Sequence, residues 1–214
     1  MNGKPSECEA LFRKDRSGTN MIIIAGMPAS GKSTFAARLG QELGYPILEK
    51  DAIKEALFDT VGFRSYAEKR RLDTAATSVL LRCAEALLNG GQSMILVNNF
   101  CEDRKPQVEA LLRRHDCACI LVFFGGEGDA FYRRYVERDL VPSRHLGHIL
   151  QERYPPQPGD ALSHTMTREE FADKFEKLGM AAFQIDGAIR LDVDATHPEQ
   201  IHTAELIGRI RKLL

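Results

Sequence analysis

Between Met21 and Thr34 the chain reads Met-Ile-Ile-Ile-Ala-Gly-Met-Pro-Ala-Ser-Gly-Lys-Ser-Thr, and no other stretch restricts its fold so strongly. Gly26, Gly31, Lys32 and Ser33 fill the spacing G-x-x-x-x-G-K-[ST] in full. The apolar run Ile22-Ile23-Ile24 before it has the make-up of a strand buried on both faces. After it, Phe35, Ala36, Leu39 and Leu43 recur at the spacing of one helix face. A strand, a glycine-bounded loop and a helix N-terminus form a cradle for phosphate. The glycines permit backbone conformations that a side chain forbids, so consecutive N–H groups can turn onto phosphate oxygens. The new helix adds unpaired N–H groups and a partial positive charge. The whole segment Gly26, Met27, Pro28, Ala29, Ser30, Gly31, Lys32, Ser33 and Thr34 is therefore the expected seat of a nucleoside triphosphate. Lys32 is expected on the β- and γ-phosphates and the Ser33 hydroxyl on Mg²⁺, making ATP with Mg²⁺ the expected ligands. Nothing resembling a guanine-selective N-K-x-D occurs.

The remaining periodicity alternates between strand and helix. Strands are expected at about 21–26, 45–49, 93–97, 118–124 and 189–193. Helices are expected at about 32–43, from 50 through 58, 65–89, 103–114, 129–138 and 167–178. A last helix carries Ile201, Ala204, Ile207 and Ile210. Thr167 with Glu170, and Thr196 with Glu199, have the spacing of capping boxes. Tyr154-Pro155-Pro156-Gln157-Pro158-Gly159 is a loop, because proline removes donors and biases its neighbours away from helix. Such alternation implies an α/β fold with a mostly parallel five-stranded sheet and helices on both faces. Parallel sheets bind ligands beyond the carboxyl ends of their strands, so the residues after each strand carry the interest.

With 214 residues the expectation is a flexible arm over 1–20 and one domain over 21–214. The formal net charge of −1 supplies no global field for nucleic acid or an anionic membrane. No run approaches the roughly 18 apolar residues of a membrane span, and the polar start lacks the apolar core of a signal peptide. Five cysteines without metal-ligand spacing read as reduced core thiols, with Cys117 and Cys119 on one strand face. A cytoplasmic protein is expected.

Asp51 follows the second strand, where a carboxylate can accept a proton from a hydroxyl; the same residue is also a good helix start. Arg134 and Arg138 share a helix face at i, i+4, and Arg144 follows shortly after. Planar guanidinium groups suit the charge spread of a transferring phosphoryl group, although such arginines can equally be a solvated face. His145 and His148 are three apart without a third ligand, so they are read as shaping this region or touching substrate rather than holding zinc. The third strand ends in Asn98, where a carboxylate beside Mg²⁺ is expected. Asp51 could supply that carboxylate, catalysis could be weak, or Asn98 and Asn99 could read the acceptor.

The loop, Lys50-Asp51-Ala52-Ile53-Lys54-Glu55, Asn99-Phe100 and Arg144-His145-Leu146-Gly147-His148 together resemble small AAA-type P-loop kinase-like proteins. Their neighbours include chloramphenicol phosphotransferase, the zeta toxins and the kinase domain of polynucleotide kinase. The resemblance spans about residues 21–150. It implies a three-layer P-loop NTPase fold with a helical lid at about 128–150, inward-pointing lid arginines (best matched by Arg138 and Arg144) and Asp51 as catalytic base or acceptor-binding residue. It also places the nucleobase around Asp194-Ala195-Thr196. The favoured reading is transfer of the ATP γ-phosphoryl group to a small-molecule hydroxyl, with Lys32, Asp51, Arg134, Arg138 and Arg144 as the catalytic set. The acceptor is expected near helix 65–89 and the proline-rich loop. The rivals are a nucleic-acid 5′-hydroxyl kinase, disfavoured by the charge balance, and a regulatory or toxin-like nucleotide-binding protein with weak ATPase activity.

Overall fold

The computed structural model describes residues 18–160 and 166–214. The expected N-terminal arm lies outside the described residues up to position 17, and Asn20 already opens the first strand. The elements run β1 (Asn20–Gly26), α1 (Lys32–Leu43), β2 (Ile47–Glu49), α2 (Lys50–Val61), α3 (Tyr66–Asn89), β3 (Met94–Val97) and α4 (Lys105–Arg114). They continue with β4 (Ala118–Gly125), α5 (Gly128–Asp139), α6 (Leu146–Ile149), α7 (Arg168–Lys177), β5 (Ile189–Asp194) and α8 (Thr203–Leu213). The sheet order is β2-β3-β1-β4-β5, and every pairing is parallel.

β1 sits in the middle, and its alternation builds two cores at once. Ile22 and Ile24 pack with Ile120, Val122 and Phe124 against α1, α5, α7 and α8 through Phe35, Leu39, Phe131, Phe171 and Ile207. Met21 and Ile23 pack with Leu96 and Leu121 against α3 and α4 through Leu80, Ala84, Val108 and Leu111. A side chain taken fully out of water contributes roughly 1.5–3 kcal/mol, so two filled faces fix the strand register firmly. Cys117 and Cys119 lie together in the second core.

Local chemistry sets the helix ends. Ser65 caps α3 by accepting from the Glu68 N–H, and Thr167 with Glu170 forms the expected capping box at α7. The second expected box does not form. Thr196 instead accepts the Glu127 N–H at 3.0 Å, while Pro198–Gln200 makes a short 3₁₀ turn and α8 begins only at Thr203. The Thr196 hydroxyl is thus turned toward the start of α5 and away from the chain that leads into α8.

A third, smaller cluster joins α2 to α6. Phe58 is fully buried, with the Phe63, His145 and His148 rings 5.3, 5.9 and 5.9 Å away. Gly147 lies so close that a Cβ there would come within 2.3 Å of the Phe58 ring. Tyr154 belongs to the same cluster, exchanging backbone hydrogen bonds with Phe63, so the start of the proline-rich loop is tied to the scaffold. Truncating the central ring leaves a cavity that the backbone-to-ring contact at Gly147 cannot fill. Phe58→Ala should cost about 3–5 kcal/mol in urea unfolding, and a loss below about 1 kcal/mol would show that this cluster does not hold α6 in place.

Candidate active site

The loop after β1 starts with a close approach. Gly26 has φ 128°, and a Cβ on it would lie 2.1 Å from the Phe124 carbonyl oxygen of the neighbouring strand. Gly31, at φ 90°, turns the chain into α1. The N–H groups of Gly31 and Lys32 find no acceptor among the described residues, as the start of a helix leaves them. Lys32 folds back over the loop, its ammonium donating to the Met27 carbonyl and, at 3.2 Å, to the Ser30 hydroxyl. Burial pushes Lys32 down to about 7, against the pull of Asp51 and with a further push from Arg138. A cation held this way, above open N–H donors, is a site short of negative charge.

Ser33 donates its hydroxyl hydrogen to Glu49, the last residue of β2. Glu49 is a candidate site residue that the sequence reading missed. It pairs in register with Val97, so it stands beside Asn98 at the sheet's carboxyl edge and brings the carboxylate that Asn98 lacks. The Glu49-Lys50-Asp51 spacing, an acid at a strand end and another two residues on, was the available signal. A hydroxyl and a carboxylate are hard oxygen donors and fit Mg²⁺. Among the described residues no group of three His, Cys, Asp or Glu could hold a metal alone. An ion bound here would rely mainly on phosphate oxygens and water.

Asp51 lies in the first turn of α2, which would favour an acid there in any case. Its side chain is 45 % exposed to the cleft and sits 3.3 Å from the Lys54 ammonium. Desolvation works to raise its pKa, but Lys54, His148, Lys50 and Arg144 outweigh it and hold Asp51 well below the usual carboxylate range. Lys54 and Lys50 in turn reach Asp73 of α3 at 3.3 and 2.8 Å.

Two cavities meet at this point. One, of about 200 Å³, is lined by the loop and Glu49; the other, of about 230 Å³, extends toward α3 and α7. Pro28, Asp51, Asn98, Asn99 and Arg138 line both. Arg138 and Arg144 converge with a single carboxylate between them, Asp139, 3.5 and 3.4 Å from their Nε atoms. Both Nε atoms are buried without a hydrogen bond. Desolvation, then the repulsion of Arg138, lowers the pKa of Arg144.

Arg134 does not join them. Its guanidinium donates to the carbonyls of Ala195 and Thr196 at 2.7 and 3.1 Å, outside both cavities, so it braces the β5 loop instead of the phosphoryl path. Nor do His145 and His148 form a metal pair: Nε2 of His145 lies 3.1 Å from Asp59, and that of His148 lies 2.7 Å from Glu55. The Gly147 N–H donates to Nδ1 of His145, which leaves the Nε2 hydrogen for Asp59. The proline-rich loop lines neither cavity. Helix α3 does line the second, through Tyr66, Lys69, Arg70, Asp73 and Thr77.

A parallel sheet with β1 between β3 and β4, a glycine-bounded phosphate loop and a carboxylate at the end of β2 define a P-loop kinase-type enzyme that uses a nucleotide. The chain belongs to the AAA domain family, whose model matches residues 21–156. It is similar to a shikimate kinase from Rhodopseudomonas palustris, 26% identical over 148 residues that cover 64% of this chain and 68% of the relative. Among solved structures it resembles a candidate kinase from Chloroflexus aurantiacus J-10-fl, with a TM-score of 0.74 and 28% identity over 92% of this chain and 99% of the other. A sugar kinase from Janibacter sp. HTCC2649 shares the fold, with a TM-score of 0.53 and 16% identity over 91% and 94% of the two chains. No helix among the described residues is long and apolar enough to cross a membrane.

Lys69 gives the site a pH signature. Its ammonium donates to the carbonyls of His148, at 3.0 Å, and Leu150. Burial, then repulsion from Lys54 and Lys174, lowers its pKa from 10.5 to about 7. Between those values the unfolded chain holds a proton that the native state has released, so stability from this group rises with pH from about 7 toward 10.5. Lys69→Met should flatten that slope in urea unfolding measured at several pH values. An unchanged slope would mean that Lys69 keeps its ordinary pKa.

Proposed function

We propose that this protein is an ATP-dependent phosphotransferase that moves the γ-phosphoryl group to a hydroxyl of a small molecule. The observation that carries this reading is the shared wall: Asp51 and Arg138 stand where the nucleotide cavity opens into the second cavity. A donor on the loop and an acceptor in the second cavity would face each other across those two side chains. Such positioning, together with charge stabilisation, supplies most of the rate of a phosphoryl transfer.

Each residue then has a part. The loop N–H groups and Lys32 bind the triphosphate, whose charge offsets the burial that depresses Lys32. Mg²⁺ bound between Ser33, Glu49 and the phosphates would neutralise charge on the transferring group. Arg138 and Arg144, whose Nε atoms flank Asp139, would offer the terminal nitrogens of their guanidinium groups to the equatorial oxygens. Asp51 accepts a hydrogen bond from the acceptor hydroxyl and orients its oxygen. A carboxylate held so low is a weak base, so it takes the proton only as the new oxygen–phosphorus bond matures, which fits a loose transition state. Asn98 no longer argues for a feeble nucleotide binder, because Glu49 stands beside Ser33.

ADP release over a panel of hydroxylated metabolites tests the reading. Asp51→Asn should lower turnover by about 10²–10⁴-fold while the affinity for ATP stays within a few-fold of wild type. Equal turnover in that variant would remove Asp51 from the chemistry. Glu49→Gln should move half-activation to Mg²⁺ concentrations about 10–100-fold higher, read by titrating Mg²⁺ at saturating ATP.

A further inference from the structure

The geometry points to an acceptor that carries a negative charge: a hydroxylated small molecule bearing a carboxylate or a phosphate ester, held at the end of the second cavity away from the loop. This rests on reading that cavity as the acceptor site. The chain as a whole has a formal charge of −1, yet the cavity is lined by eight lysines and arginines against four aspartates. Its cations are therefore concentrated there, not a sample of the surface.

The carboxylates are also already engaged. Asp51 lies 3.3 Å from Lys54, and Asp73 lies between Lys50 and Lys54. Asp139 lies between Arg138 and Arg144, and Asp103 lies 3.4 Å from Arg104. Lys69, Arg70 and Lys174 have no carboxylate partner among the described residues. They come from two facing elements, α3 and α7, and line only the second cavity, whereas Asp51 and Arg138 line both.

The three feel one another. Lys174 is lowered by burial, then by Arg70 and Lys54, and Lys69 by burial, then by Lys54 and Lys174. Repulsion among these cations, offset only in part by Asp73 and Asp139, costs stability in the free protein, and an anion placed among the three groups would reverse it. The nearby Tyr66, Met166 and Phe175 offer apolar surface for a carbon skeleton. The hydroxyl is then presented to Asp51 at the junction and the anion to Arg70 and Lys174 at the far end, with Lys69, whose donors are held by His148, Leu150 and Gln151, adding its charge from beside them. Net charge becomes a specificity device: neutral polyols and cationic amino sugars lack the group that the far end is built to meet.

The test uses the whole chain loaded with ADP and Mg²⁺, with binding read by calorimetry and turnover by ADP release with ATP. The panel sets each neutral sugar or polyol beside its carboxylate, its phosphate monoester and its amino counterpart; a 5′-hydroxyl oligonucleotide is included. Binding and turnover should be confined to anionic small molecules, and the carboxylate and phosphate arms identify which anion is used. Arg70→Gln and Lys174→Gln, both at exposed helix positions, should each raise the acceptor KM by about 10–10²-fold. They should leave kcat and the KM for ATP within about threefold. Neutral or cationic acceptors used as well as anionic ones, a preferred oligonucleotide, unchanged acceptor KM in both variants, or no binding of any anionic member at millimolar concentration would each overturn the proposal. Asp51-dependent turnover of a neutral acceptor would leave the phosphotransferase reading standing while this one falls. Anion binding lost in both variants, without turnover of any acceptor, would do the reverse.

Discussion

At the end of the central strand, the backbone of Gly26 lies so close to the Phe124 carbonyl that no side chain fits between them. That approach lets the Met27 N–H donate to the same carbonyl at 3.1 Å, so β1 and β4 stay joined to the last residue before the loop begins. The loop can then leave the sheet as one tight turn, with its N–H groups unspent. The same edge continues sideways. The Ala195 N–H donates to the Gly125 carbonyl at 2.8 Å, and on the other flank the Asn98 N–H reaches the Ile24 carbonyl at 3.3 Å. Every strand end that faces the ligands is thus held level by backbone bonds before any side chain is counted.

Charge is what this rigid edge supports. Lys32, Lys54, Arg138 and Arg144 surround one another near Asp51, and burial opposes the charge on Lys32, Lys54 and Arg144. Asp51 and Asp73 more than compensate at Lys54; no carboxylate does so at Lys32 or Arg144. The free protein therefore keeps an excess of oriented donors where a triphosphate would lie. Donors fixed in advance need no reorganisation when charge develops, which is the largest source of electrostatic catalysis. A more complete set of carboxylates would have made a steadier apoprotein and a poorer site for phosphate.

The legible parts of this chain were the local ones. The strand, loop and helix start are fourteen consecutive residues from Met21 to Thr34, and the other strands are short apolar runs, so both could be read without any partner. The capping box of α7 depends on residues three apart and was equally readable. What escaped depends on pairing across the fold. Glu49 matters because β2 lies beside β3, and nothing in its own neighbourhood says so. Thr196 looked like a cap, but Glu127 claims its hydroxyl from 69 residues away. Arg134 has the right spacing from Arg138, but the carbonyls of the buried Ala195 and Thr196 just after β5 draw its guanidinium away. The two histidines find their carboxylates 86 and 93 residues earlier, which no motif of spacing three could reveal.

Those histidine contacts bear on how the site is held. Helix α2 carries Asp51 at one end and Glu55 and Asp59 further along, while Arg144 directly precedes the segment that carries His145 and His148. The Asp59–His145 and Glu55–His148 hydrogen bonds, with Gly147 packed on Phe58 between them, join α2, which carries Asp51, to the segment that carries Arg144. Arg138 arrives independently on α5 and meets Arg144 only through Asp139. Asp51 and Arg144 are therefore fixed relative to each other by side-chain packing between α2 and the segment that follows Arg144. Such packing holds the walls of the cleft in place before any ligand arrives, and positioning of that kind is a large source of rate in enzymes.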